Sequence, residues 1–122
     1  MRLSTTAIVI AALASPAVLA SPLSAGAIQT GATVQVKPNS IWFDAASDLA
    51  RWQKLKAAGD AAALAAYEKD KLGRRDAWQF VNRLPAKVLG YRPGANQVEV
   101  KATTKGRFEG LTFFLDADAI ER

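Results

Sequence analysis

The sequence predicts an α+β domain, a small antiparallel sheet with an inserted pair of short helices, from three observations. Thr33, Val34, Gln35 and Val36 have strand composition, and at 97–102 Val98 and Val100 alternate with Glu99 and Lys101, as on a half-buried strand. Between these stretches the period changes: Leu49, Trp52 and Leu55 recur at three-residue steps while Arg51, Lys54 and Lys56 point elsewhere, as on an amphipathic helix. In the last apolar run Leu111, Phe113 and Leu115 share one face and Phe108, Thr112 and Phe114 the other. A sheet apolar on both faces needs cover on both, and the helices are the available cover for the second.

Ahead of the domain a single Arg2 precedes an uncharged apolar run at 7–14 and a Pro16-broken, small-residue stretch. That order is the pattern of a bacterial secretory signal peptide. Cleavage after Ala20 places Val18 and Ala20 at the two small-residue positions a signal peptidase reads, and Ala25-Gly26-Ala27 offers an alternative end at 27. A bilayer span needs roughly 20 consecutive apolar residues, whereas Ser15, Pro16, Ser21 and Pro22 interrupt this one. Residues 1–20 are therefore read as a cleaved leader, the mature chain as periplasmic or extracellular, and no transmembrane anchor is expected to remain. The chain has no cysteine, so neither a lipid-attachment site nor a disulfide framework is expected, and stability must come from packing. The about 100 residues after the leader suffice for one domain with a single core.

Within that domain, 21–31 is small, polar and Gly/Pro-bearing and reads as a flexible lead, with order from residue 32 to 122. Ile41-Trp42-Phe43 follows a Lys37-Pro38-Asn39 turn, and 32–43 is most economically one kinked strand. Asp44 is the expected N-cap of the first helix, with Asp48 in its first turn, where the helix dipole favours negative charge. Gly59 supplies its stop and Asp60 a fresh N-cap. A second helix runs through 61–71, with Leu64 and Tyr67 on one face, and Gly73 ends it, so the helical insertion spans 44–73. Two adjacent helices raise the question of DNA recognition, but the first turn of the second reads Ala61-Ala62-Ala63 and has nothing to read a base edge with. Sequence-specific nucleic acid is not an expected partner. Residues 78–81 read as a strand, with the tail of a helix as the alternative because Trp78 and Val81 also fit a three-residue step; 82–85 read as a turn, 86–91 as a strand, 92–96 as a turn cluster, and 103–107, with Gly106, as the turn into a final strand at 108–115.

The C-terminal half resembles a bacterial SH3-like domain. The residues carrying the likeness are Lys87-Val88-Leu89, Val98-Glu99-Val100-Lys101, Lys105-Gly106-Arg107-Phe108-Glu109-Gly110 and the run from Phe113 to Ile120. The resemblance implies a small antiparallel barrel in which a Gly-bearing hairpin leads into an aromatic-bearing strand, a short turn and a final residue that seals the barrel. Residues 32–36 would then be the first barrel strand. The Ala-Leu-Tyr motif and paired tryptophans of proline-rich-peptide binders have no counterpart here, so the resemblance carries a fold and no binding residues.

Catalytic chemistry is limited by composition: the chain has no histidine and no cysteine, the commonest general base and thiolate nucleophile. Ser21, Ser24, Ser40 and Ser47 sit in no nucleophile-elbow context. Asp44 with Asp48 suits a helix start, and Asp116-Ala117-Asp118 suits a turn better than a hard-cation site, which asks for six to eight oxygens. No catalytic residue, metal site or cofactor is expected. The formal charge is +5, and loss of the leader removes Arg2 alone among charged residues, so the mild basic excess favours anionic partners. Arg74, Arg75, Lys105 and Arg107, at predicted turns, are the candidate contacts. The expected function is an exported, non-catalytic binding or accessory module of the bacterial cell envelope, acting on a cell-wall polymer or a periplasmic protein. A secreted inhibitor or protective protein against an extracytoplasmic enzyme is the second class. Export has a direct check: intact mass of protein from the native host should correspond to loss of residues 1–20 or 1–27, and full-length chain in the cytosol would contradict it.

Overall fold

A computed structural model describes residues 27–122; the expected leader and most of the expected lead lie outside the described residues. The fold is α+β. Six strands, β1 (Thr33–Val36), β2 (Ile41–Phe43), β3 (Ala77–Gln79), β4 (Leu84–Arg92), β5 (Gln97–Ala102) and β6 (Thr112–Asp116), form one antiparallel sheet in the order β1-β4-β5-β6-β2-β3. Two helices, α1 (Ala46–Ala58) and α2 (Ala61–Arg74), lie between β2 and β3 in the chain. No helix among the described residues is long and apolar enough to cross a membrane.

β6 organises the sheet. Its alternation sends Phe113 and Leu115 into the larger core with Val36, Trp42, Val88, Val98 and Val100, while Phe114 turns to the opposite face. There Phe43, Leu49 and Ala77 are fully buried, with Trp52, Tyr67 and Leu72 packed around them. The helices thus cover the second apolar face, as the pattern of β6 requires. Phe108 departs from the expected phase because the last strand begins at Thr112, not at 108. Residues 103–111 form a folded loop instead, held by Gly110 N–H donating to the Ala102 carbonyl (2.9 Å) and Leu111 N–H to that of Phe108 (3.0 Å). Gly106, at φ 129°, takes a backbone conformation closed to other residues, and the loop returns Phe108 to the Phe113 side, 6.2 Å between ring centroids. Leu111, expected inside, is half exposed.

Residues 32–43 are two strands rather than one. β1 pairs with β4, whereas β2 crosses to the other end of the sheet and pairs with β3 and β6. The Lys37-Pro38-Asn39 turn separates them, with Asn39 at φ 65° and the Ser40 hydroxyl donating to the Lys37 carbonyl (2.8 Å). The lead joins the fold earlier than residue 32: Ile28 is buried in the larger core, and Gly31 N–H donates to the Val88 carbonyl (2.8 Å). A bulge between Val88 and Gly90 shifts the β4–β5 register by one residue, bending the strand that pairs with β1 over its first half. Beyond β6 a 3-10 turn (Ala117–Ala119) leads to a bridge between Ile120 and Val36, and Glu121 N–H donates to the Gln35 carbonyl (2.9 Å). The C-terminal segment thus meets β1 at Gln35 and Val36, on the side away from β4.

The helix ends follow the sequence in part. Gly59 closes α1 at φ 75°, and Asp60 caps α2 by accepting from Ala63 N–H (3.0 Å). Ala45, not Asp44, is the N-cap of α1, with no side-chain bond. α2 runs through Gly73 to Arg74 and stops at Arg75 in the left-handed region, its N–H bonding the Leu72 carbonyl (3.2 Å). Lys71 sits between Asp48 (3.4 Å) and Asp76 (3.9 Å), joining α1, α2 and the approach to β3.

Because Phe113 is 1% exposed and touches both Trp42 and Phe108, Phe113→Ala should cost about 3–5 kcal/mol of unfolding free energy. Urea denaturation checks this, and a loss below about 1 kcal/mol would place the ring outside a packed core.

Candidate functional site

The aromatic residues of β2, β3 and the β5–β6 loop converge at one end of the sheet. Trp78 faces the larger core, and Phe80, two residues on, packs against the same cluster. Phe80 meets Trp42 edge-on at 5.2 Å, and Phe108 meets both Phe80 (5.2 Å) and Trp78 (4.8 Å). Such edge-to-face contacts are worth about 0.5–1.5 kcal/mol each beyond the area they bury, enough to hold the loop's one large aromatic in place. Between the β3–β4 connection and the β5–β6 loop the cluster leaves a groove of about 400 Å³. Trp42, Phe80 and Phe108 line its aromatic side, and Val81, 71% exposed, stands at its lip.

The polar groups of the groove are amides, a hydroxyl and two cations: Gln79, Asn82, Thr104, Lys105 and Arg107. No carboxylate lines it. The Arg107 guanidinium lies 5.6 Å from the Phe108 ring centre and 5.8 Å from that of Trp78. An exposed cation–π contact contributes about 0.5–1 kcal/mol, less than a charge-assisted hydrogen bond. Arg107 is therefore held near the groove yet free to turn to an anion. Lys105 and Arg107 make no ion pair among the described residues.

Of the four cations expected from the sequence, these two come together on the groove. Arg74 and Arg75 stand at the end of α2 outside its lining, and Arg74 is engaged by Asp70 through an exposed i,i+4 pair (3.1 Å). The aromatic lining has only a faint mark in the sequence, the two-residue spacing of Trp78 and Phe80, of which Phe80 lines the groove and Trp78 backs it through Phe108. What no pattern carried was Phe108, since only the loop geometry sets it over Phe80.

The Asp116 cluster is tied up internally. Asp116 accepts from Asp118 N–H (2.8 Å), the Asn96 side-chain amide (2.9 Å) and the Gln53 side-chain amide (3.2 Å), and the Gln97 side-chain amide donates to Gln53 Oε1 (3.2 Å). The Asp116-Ala117-Asp118 stretch thus caps its 3-10 turn and ties it to α1. A smaller depression of about 280 Å³ carries both signs of charge, and within it Trp52 donates its indole N–H to Glu68 (2.8 Å). Among the described residues no group of three or more potential ligand side chains could hold a metal ion.

Among the described residues two titratable groups depart from their ordinary range. Partial desolvation, then the Asp76 carboxylate, push the Asp44 carboxyl up, against a hydrogen bond from Trp78 and with a smaller push from Asp48. Desolvation first, then Asp48, likewise raises the Tyr67 phenol, whose O–H donates to the Asp48 carbonyl (3.0 Å). Compared with known protein families, curated proteins and solved structures, the chain has no match.

A raised carboxyl pKa means the fold disfavours the ionised form, so this contribution to stability is present below the unfolded value near 3.8 and is lost as pH rises through the folded value. Asp44→Asn removes the charge and keeps an acceptor for Trp78. It should melt above the wild type at pH 7, with the difference shrinking toward zero by about pH 3; thermal unfolding across that range is the measurement.

Proposed function

We propose that this protein is an exported, non-catalytic binding module of the bacterial cell envelope, SH3-like in topology, and that it takes an anionic partner in the groove between the β3–β4 connection and the β5–β6 loop. The observation that carries the reading is the pairing of an apolar, aromatic-lined groove with Lys105 and Arg107 and no carboxylate. Ligand sites are commonly concave and mostly apolar, with a few convergent polar groups that fix orientation. The groove fits that description, and the sequence, with neither His nor Cys, brings no conventional acid–base or nucleophile set to it.

The SH3-like topology is supported by the order of elements. β4, β5 and β6 form a meander, a 3-10 turn follows, and the chain then returns to the free edge of β1 through Ile120 and Glu121. The segment between β1 and β4 takes the place of a loop, and it contains β2 and β3 as well as the two helices. The envelope setting rests on the leader pattern of residues 1–20.

Co-sedimentation tests the reading, with three baits: purified sacculi, anionic vesicles and immobilised envelope-protein extract. At least one bait should retain the wild type, and retention should weaken between 0.1 and 1 M salt as the Debye length falls from about 10 Å to about 3 Å. Lys105→Ala with Arg107→Ala should weaken it roughly fivefold or more, whereas Arg74→Ala with Arg75→Ala should change it less. Retention indifferent to salt and to both double variants would overturn the groove assignment and favour the inhibitor class, with a shape-matched protein interface. No retention by any bait would overturn the envelope-binding reading.

A further inference from the structure

Among the described residues β3 is an edge strand, paired only with β2. Its register is Phe43 with Ala77, Trp42 with Trp78 and Ile41 with Gln79. Immediately beyond, Asp44 N–H donates to the Asp76 carbonyl (3.0 Å), which makes that pair hydrogen-bonded. Antiparallel pairs alternate between hydrogen-bonded and non-hydrogen-bonded. Trp78 therefore spends its backbone groups on β2, while Gln79 turns its N–H and C=O outward. Past the strand, Asn39 N–H donates to the Phe80 carbonyl (2.7 Å), and Val81 follows in a bend. Among the described residues no backbone hydrogen bond engages Gln79 or Val81 on that outer side.

The unpaired edge lies beside the groove, because Gln79, Phe80 and Val81 belong to its lining. At three residues β3 is short, as edge strands often are, but it carries neither a charge nor a proline, and Val81 just beyond it is 71% exposed. We infer that the anionic partner is an extended peptide segment of another protein, which adds to β3 as a further strand, sets an apolar side chain among Phe80 and Phe108, and places a carboxylate on Lys105 or Arg107. This rests on the groove being the binding surface. Strand addition supplies affinity through main-chain hydrogen bonds and selectivity through pockets for alternate side chains, and the edge offers the first while the groove offers the second. Charge complementarity sets the sign of the partner: a basic peptide would meet two uncompensated cations.

The probe is a displayed library of random heptapeptides selected on the wild-type domain and counter-selected on a Lys105→Glu, Arg107→Glu variant whose circular dichroism matches the wild type. Enriched peptides should alternate apolar and other residues and carry at least one acidic side chain. In a synthetic copy of such a peptide, N-methylation of alternate amides should weaken binding at least tenfold, whereas methylation of the intervening amides should change it little. On the protein, the amide protons of Gln79 and Val81 should shift downfield and exchange more slowly in the complex. Enrichment of proline-rich peptides without acids, insensitivity to N-methylation, or unmoved Gln79 and Val81 amides would overturn strand addition. No enrichment would overturn it too; if a sedimentation bait were nevertheless retained in a Lys105- and Arg107-dependent way, the groove would remain a binding surface with a different ligand class.

Discussion

The structure depends on a sheet that is apolar on both faces. At β6 the chain places Phe113 and Phe114 next to each other, and strand geometry sends them to opposite sides. Neither side can be left to water. The larger core fills one side, and the α1–α2 pair covers the other through Leu49, Trp52, Tyr67 and Leu72. Without disulfides, a domain of this size has little beyond this packing to offset its conformational entropy.

Polar contacts locate the helices rather than hold them on. Gln53 reaches from α1 to the Asn96 carbonyl (3.0 Å) and to Asp116, joining the β4–β5 turn, the end of β6 and the helix in one cluster. Lys71 does the same at the opposite side between Asp48 and Asp76. Each bond is worth only about 1 kcal/mol net, but a buried donor or acceptor left unpaired costs more than that, so the cluster penalises misplacement of α1. Gln97 and Asp116, the buried polar residues among those described, both belong to it.

The groove is a consequence of the same arrangement. β2 and β3 extend the sheet beyond β6, and the β5–β6 loop folds across their core-facing side so that Phe108 meets Trp78 and Phe80. Folding the loop inward buries one aromatic and leaves its cations, Lys105 and Arg107, at the margin. Affinity for anions and an apolar lining thus arise together from a single loop conformation.

Much of this was legible in residue order alone. The period of Leu49, Trp52 and Leu55 marked α1, the alternation of Val98 and Val100 marked β5, Asp60 and Gly59 marked a helix boundary, and the two-faced pattern of Phe113 and Phe114 called for helices on the second face. These are local signals, set by side-chain period and capping chemistry. Only tertiary structure decided that Ile41-Trp42-Phe43 leaves β1 to join β3 and β6, that Ile28 enters the core, that α2 continues through Gly73, and that Phe108 belongs with Phe113 rather than opposite it. Strand pairing and loop closure bring together residues far apart in the chain, and short apolar runs carry no local mark of which partner they will meet. For the same reason Lys105 and Arg107 could be named from composition, but their separation from Arg74 and Arg75 and their place beside an aromatic groove followed from the fold.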